Sequence, residues 1–151
     1  MIILDLITPK DAIAFMNLRN DEETYRWFYS GRKFTLEEVE SWIGKLDPTK
    51  DRVFIARQDD TIVGTCSLYN IDWQKKTAET GRIITAPHTR GKGFGTQMLQ
   101  QLTKIAIADG LQSLYANIKK DNVSSQRAYE KAGYTRIEER FETGYYYMRG
   151  L

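Results

Sequence analysis

Residues 85–110 read "TAPHTRGKGFGTQMLQQLTKIAIADG". Glycine takes every second position from Gly91 to Gly95, interleaved with Arg90 and Lys92. A run follows in which Met98, Leu102, Ile105 and Ala106 recur at helical spacing. Glycine is locally destabilising, so three of them in front of a helix need a reason. A helix N-terminus leaves amide hydrogens unpaired and carries the positive end of the helix dipole. Glycines there let successive N–H groups turn toward one anion with no side chain in the way. The stretch therefore predicts a phosphate-holding loop and a helix from about Gly93 to Asp109, with Gly110 at its C′ position.

The spacing excludes two familiar nucleotide loops. A Walker A loop needs Gly-x-x-x-x-Gly-Lys-Ser/Thr, and no lysine here is followed by a hydroxyl residue within such a frame. The dinucleotide fingerprint needs Gly-x-Gly-x-x-Gly after the first strand of a βαβ unit. Here the spacing is Gly-x-Gly-x-Gly, and the strand before it, residues 77–86, belongs to an antiparallel meander with 52–58 and 61–71.

Outward from the loop, "IILDLI" (2–7) predicts a strand that passes through Thr8 and Pro9 into a helix. "FTLEEVESWIGKL" predicts a second helix, with Thr35 and Glu38 as a capping box and Leu36, Val39, Ile43 and Leu46 on one face. After the glycine loop and its helix come a strand at 113–119, parallel to the one before the helix, and a helix from about Val123 to Ala132. A final hairpin turns around Thr143-Gly144. The order is that of a mixed sheet with helices packed on it.

The 151 residues fit one domain, and 41% hydrophobic with 28% charged residues describes a globular chain. A net charge of +2 with scattered basic residues gives no basis for nucleic-acid binding. One cysteine, Cys66, permits neither an intrachain disulfide nor a zinc ribbon, and the opening "MIILDLITPKD" has neither a signal-peptide nor a membrane-span pattern. The expectation is a cytoplasmic protein, monomer or homodimer, with no metal, membrane or nucleic-acid partner.

"RGKGFG" matches Arg/Gln-x-x-Gly-x-Gly/Ala, the acetyl-coenzyme A pyrophosphate loop of the GNAT acetyltransferases. About 30 residues on, "DNVSSQRAYEKAGY" resembles that family's second signature at Asn122, Ser125, Tyr129, Lys131, Gly133 and Tyr134. The similar order of elements runs along essentially the whole chain. The resemblance implies the GNAT fold, an α/β (α+β) domain over residues 1–151. Its central sheet is mixed and mostly antiparallel, with helices on both faces and a splayed parallel strand pair at the cofactor site.

The same resemblance implies roles. The loop amides of Gly91, Gly93, Phe94, Gly95 and Thr96 would face the pyrophosphate of acetyl-CoA, with Arg90 and Lys92 adding charge. The pantetheine arm would pair with the backbone near Ile83 and Ile84 and with Asn122 and Ser125. Asn122 also reads as a helix N-cap. A backbone N–H near Ile84 would serve the oxyanion. Tyr129 would be the general acid for the departing thiolate, the alternative being a core aromatic. Glu79 would be the general base through water, the alternative being a solvated or paired strand residue. His88 lies in the loop, lining its mouth or facing solvent. Cys66, mid-strand with no histidine near it in sequence, reads as a buried core residue rather than a nucleophile. Transfer by direct attack in a ternary complex follows.

The segment 18–34 is dense in aromatic and charged residues, and Arg19, Trp27 and Tyr29 are the candidate acceptor-binding residues. The alternative is that Trp27 and Phe28 staple helices to the sheet. "LRN" and "RWF" are similar to the branch containing ribosomal-protein N-terminal acetyltransferases and those acting on nucleotide-linked amino sugars. The acceptor is therefore expected to be such a sugar or a protein N-terminus. The competing reading is a non-catalytic acetyl-CoA sensor or accessory subunit.

Overall fold

The computed structural model describes residues 1–25, 31–141 and 144–151. The elements in chain order are β1 (Ile3–Leu6), α1 (Ala12–Arg19), α2 (Glu22–Tyr25), α3 (Leu36–Lys45), β2 (Arg52–Gln58), β3 (Thr61–Asp72) and β4 (Thr77–Thr85). Then come α4 (Phe94–Ala108), β5 (Ser113–Lys119), α5 (Val123–Lys131), β6 (Thr135–Phe141) and β7 (Gly144–Gly150). The expected turn residue Thr143 lies outside the described residues, as do Trp27, Phe28 and Tyr29.

Two details differ from the sequence reading. The helix expected from Pro9 opens as a 3-10 turn over Pro9–Asp11, because Asp11 N–H closes on the Thr8 carbonyl three residues back at 2.9 Å. A short α2, whose four residues carry no apolar periodicity, adds a turn between the two expected helices. The capping box of α3 forms as read: Glu38 N–H donates to Thr35 Oγ1 at 3.2 Å and Thr35 N–H to Glu38 Oε1 at 3.1 Å.

The strands form one seven-stranded sheet in the order β1-β2-β3-β4-β5-β7-β6, antiparallel except for β4 with β5. Helices cover both faces. Met98, Leu99 and Leu102 of α4 are fully buried with Cys66 and Leu68 of β3 and Leu114 and Ala116 of β5. On the other face Phe15 of α1 and Val39 and Ile43 of α3 pack on Val53 and Ile55 of β2. This explains the unbroken apolar run "VFIA" in β2, since Phe54 and Ala56 enter one core while Val53 and Ile55 enter the other.

Two irregularities of β4 make the site. Its pairing with β5 runs only from Thr77↔Ser113 to Glu79↔Tyr115, although β4 continues to Thr85 and β5 to Lys119, so beyond Glu79 the strands part. On its other side Thr65 faces Ile84 while Ser67 faces Gly81, which leaves Arg82 and Ile83 opposite Cys66 alone. This is a β-bulge. Arg82 sits in it with φ +52°, a conformation that costs a non-glycine residue on the order of 1–3 kcal/mol.

Candidate active site

The parting of β4 from β5 opens a cleft of about 1190 Å³. Single small-molecule pockets usually hold about 300–1,000 Å³, so this one has room for two reactants. One wall is β4 from Gly81 to Thr85, the other is the end of β5 with α5, and the glycine loop closes one end. Beyond Glu79 the backbone of β4 has no strand on its β5 side, so its polar groups there face the cleft.

Gly91 and Gly93 have φ of +79° and +81°, the left-handed region that favours glycine. Gly93 is the N-cap of α4, and the first helical bond runs from Gln97 N–H to the Gly93 carbonyl at 3.1 Å. The amides of Phe94, Gly95 and Thr96 therefore stand ahead of the helical ladder, at the cleft. Gly95 differs from the other two. It is within the helix, and a Cβ there would meet Ala128 Cβ at an ordinary 3.8 Å.

Arg90 reaches from the loop to the other side of the cleft. Its Nη2 donates to Asp21 Oδ2 at 2.5 Å and to Thr24 Oγ1 at 3.0 Å, which fastens the loop to α2. The same hydrogen bond pulls the Asp21 carboxyl below its ordinary pKa. Lys92 is exposed and is not among the residues that line the cleft.

Deep in the cleft lies Tyr129, 2% exposed, its ring edge-on to Tyr134 at 4.8 Å. Its hydroxyl donates to the Thr80 carbonyl at 3.1 Å, and the Thr80 and Tyr134 hydroxyls share a 2.8 Å hydrogen bond. Burial, and then the neighbouring Tyr134, push the Tyr129 pKa well above that of a free phenol, so it is protonated at neutral pH.

Across the splay, Glu79 is held by donors on both oxygens. Tyr69 Oη donates to Oε2 at 2.9 Å, Asn70 Nδ2 to Oε1 at 2.9 Å, and Asn117 Nδ2 approaches Oε2 at 3.5 Å. A carboxylate offers about four acceptor positions, so at least one is left for a further donor. Tyr69 is itself fixed: the Arg82 guanidinium lies 4.1 Å over its ring, and Arg82 Nη1 donates to Asp51 Oδ1 at 2.8 Å. Burial, then the Glu79 charge, raise the Tyr69 pKa, which keeps its proton on the donor side of that bond.

A family model described as an acetyltransferase (GNAT) domain matches residues 2–135. The chain belongs to the GNAT family. Its fold is shared with spermidine N-acetyltransferase from Vibrio cholerae, solved with CoA and spermine, at a TM-score of 0.88 and 19% identity over 99% of this chain and 95% of that one. A domain from Methanocaldococcus jannaschii superposes with a TM-score of 0.86 and 24% identity over 100% of this chain and 99% of that one. The aminoglycoside acetyltransferase AAC(6')-Ib, solved with coenzyme A, superposes at 0.85 with 19% identity over 99% and 95%. In sequence, an uncharacterized N-acetyltransferase, YobR of Bacillus subtilis, is 35% identical over 57 residues. That stretch is 38% of this chain and spans only 23% of the relative's length.

Of the residues expected at the cofactor arm, Ile83, Ile84, Asn122 and Ser125 all line the cleft. Asn122 is also the N-cap of α5, accepting from Ser125 N–H at 3.2 Å. Arg19 is not brought there. It is 6% exposed, stacked 4.7 Å from the Phe34 ring, and burial together with Arg32 lowers its pKa to about 10. Trp27 and Tyr29 fall outside the described residues. His88 is exposed in a 3-10 turn, and Cys66 is fully buried, with burial pushing its thiol pKa up and away from nucleophilic use. Among the described residues no three His, Cys, Asp or Glu side chains gather as a metal site, and no helix is long and apolar enough to cross a membrane.

Tyr69, Asn70, Arg82 and Asn117 are the residues that sequence reasoning missed. Their relation to Glu79 is one of register: Tyr69 is its direct partner on β3, and Asn117 lies two residues beyond its partner Tyr115 on β5. Alternation of side chains along a strand puts all of these except Asn70 and Arg82 on one face. Those two sit at the irregularities of β3 and β4, with φ of +49° and +52°.

Proposed function

We propose that these 151 residues form one acetyltransferase domain that transfers acetyl from acetyl-CoA to a primary amine, with both reactants bound together. The observation that carries this reading is that a single cleft holds the loop amides at one end and Tyr129 and Glu79 at the other. The cofactor fits on the chemistry of the donors: Phe94, Gly95 and Thr96 offer amides at a helix N-terminus, with Gly91 and Gly93 leaving open space beside them.

Each remaining task then falls to a residue in place. Ile83 and Ile84 present the unpaired edge of β4 to the thioester arm, and an N–H there steadies the charge that develops on the acetyl oxygen. Glu79 takes the proton that the amine loses as its nitrogen forms the new C–N bond, directly or through one water. As the C–S bond breaks, the Tyr129 hydroxyl turns from the Thr80 carbonyl to the departing sulfur. Because burial makes it a weaker acid than a free phenol, Tyr129 acts first as a hydrogen-bond donor and gives up its proton only as negative charge accumulates on sulfur.

For the acceptor, the carboxylates of Glu23 and Glu79 at the cleft favour a small amine with further positive charge or hydroxyl donors, of the polyamine or amino-sugar type. The neighbours that act on spermidine and on aminoglycosides point the same way. A nucleotide-linked sugar has less support, because Arg19, one of the arginines expected at the acceptor, is packed against the Phe34 ring. A protein N-terminus stays in the screen. The purified protein would be incubated with acetyl-CoA and, separately, spermidine, kanamycin, a nucleotide-linked amino sugar and an alanine-initiated peptide, with products weighed by mass spectrometry. One or more acetylated products are expected. Acetyl-CoA binding with none of them acetylated would favour the sensor reading.

A sterically local variant tests the Glu79 clamp. A Cβ at Gly81 would fall 2.6 Å from Tyr69 Oη, the far end of a side chain that can swing away. Gly81→Ala is therefore expected to fold, to move Tyr69 off Glu79, and to lower kcat/KM for the acceptor about tenfold. Acetyl-CoA affinity should not change. Steady-state kinetics beside a cofactor titration check this, and an unaltered kcat/KM would remove Tyr69 from the account.

A further inference from the structure

We infer that Asn117 selects the acceptor nitrogen: its side-chain carbonyl oxygen and the Glu79 carboxylate form a two-acceptor cradle that demands a nitrogen with two N–H bonds. This deepens the acetyltransferase reading and rests on it. Asn117 lies on β5 just past the point where β5 leaves β4, and its side chain lines the cleft. Its Nδ2 faces Glu79 Oε2 at 3.5 Å. Its Oδ1 is buried and has no hydrogen-bond donor among the described residues.

The orientation of the amide is fixed by its neighbour. Turning it over would set Oδ1 against the Glu79 carboxylate, two acceptors face to face, so the carbonyl oxygen is the atom left over. A buried carbonyl without a donor is costly to the protein and is usually explained by a ligand or water that supplies one. The nearby groups do not supply it: Tyr69 spends its one donor on Glu79, Tyr129 donates to Thr80, and the bond recorded for the Asn70 amide goes to Glu79 rather than to Asn117.

An incoming amine completes the arrangement. A neutral primary amine has two N–H bonds and one lone pair. One N–H can go to Asn117 Oδ1 and the second to the open position on Glu79, which leaves the lone pair for the acetyl carbon. The proton delivered to Glu79 as the C–N bond forms comes from the second of these bonds. A secondary amine has a single N–H and leaves one buried acceptor unpaired. Sites built around a hydrogen bond reject analogues lacking it, because their own polar groups are then stranded.

The test compares Asn117→Leu, which is similar in volume, and Asn117→Ala with the parent protein. Spermidine, kanamycin, glucosamine and an alanine-initiated peptide serve as acceptors, each beside its N-methylated counterpart. Acetyl-CoA affinity measured by calorimetry, with thermal unfolding, shows that each variant is folded and cofactor-competent. The expected result is a kcat/KM for the primary amine about 10- to 100-fold lower in both variants. The N-methylated amine should change little, so that the preference for primary over secondary amine collapses. An unchanged preference in folded variants that still acetylate would overturn the role of Asn117 alone. Failure of the parent protein to acetylate any of the four would overturn the amine reading, and this inference with it.

Discussion

Tyr129→Phe is expected to lower kcat by about 100- to 10,000-fold, the range contributed by a positioned general acid. Acetyl-CoA affinity should change little. The prediction separates chemistry from packing because the ring stays: its edge-on contact with Tyr134 at 4.8 Å needs no hydroxyl. What is lost to the fold is one hydrogen bond to the Thr80 carbonyl, which costs about 1 kcal/mol. A Tyr129 that served only the core would give a variant slightly less stable and nearly as active. Single-turnover measurement of acetyl transfer, with a thermal melt on the same sample, distinguishes the two.

Gly64→Ala is expected to be the most damaging of the glycine substitutions. Gly64 lies in β3 between Ala56 of β2 and Thr85 of β4, and a Cβ there would stand 2.2 Å from the Ile84 carbonyl oxygen. Met98 Cε, at 3.0 Å, can move aside, but a backbone carbonyl in a paired strand cannot move without its strand. Overpacking of this kind costs about 3 kcal/mol, which in a domain of this size lowers Tm by about 6–12 °C. Because Ile84 belongs to the wall of the cleft, activity should fall at temperatures where the variant is still folded. Gly44→Ala is the control. Gly44 is exposed in α3 with nothing within 4 Å of its Cβ position, and the change should stabilise by about 0.5–1 kcal/mol.

The contrast between these glycines shows what a sequence carries and what it does not. Gly91 and Gly93 were legible because they stand beside a helix start, where local chemistry demands a left-handed backbone. Gly64 and Gly81 sit inside strands with unremarkable local patterns, and their need for glycine comes from atoms on neighbouring strands. Tyr129 was legible because its motif is contiguous on α5. The holders of Glu79 were not, since Tyr69, Asn70 and Asn117 meet it only through the register of three strands and a bulge. Helix and strand positions followed from periodicity, whereas the short α2 has too few residues to show any. Arg19, expected at the acceptor, is not among the residues lining the cleft for a related reason. Its charge argued for the cleft, but the Phe34 ring offers a cation a packed alternative that composition does not reveal.

Whether the glycine loop holds acetyl-CoA for this cleft is decided by a calorimetric titration of the protein with acetyl-CoA beside a Gly93→Glu variant. Position 93 has no atom within 4 Å of a Cβ, so the side chain can be housed. Its φ of +81° adds strain of about 1–2 kcal/mol, and the new carboxylate would stand against the phosphates. Saturable binding by the parent protein is expected, with a loss of at least about 100-fold in a variant that still melts cooperatively, equivalent to about 2.7 kcal/mol. No saturable binding by the parent protein, or equal binding by both, would contradict that role of the loop.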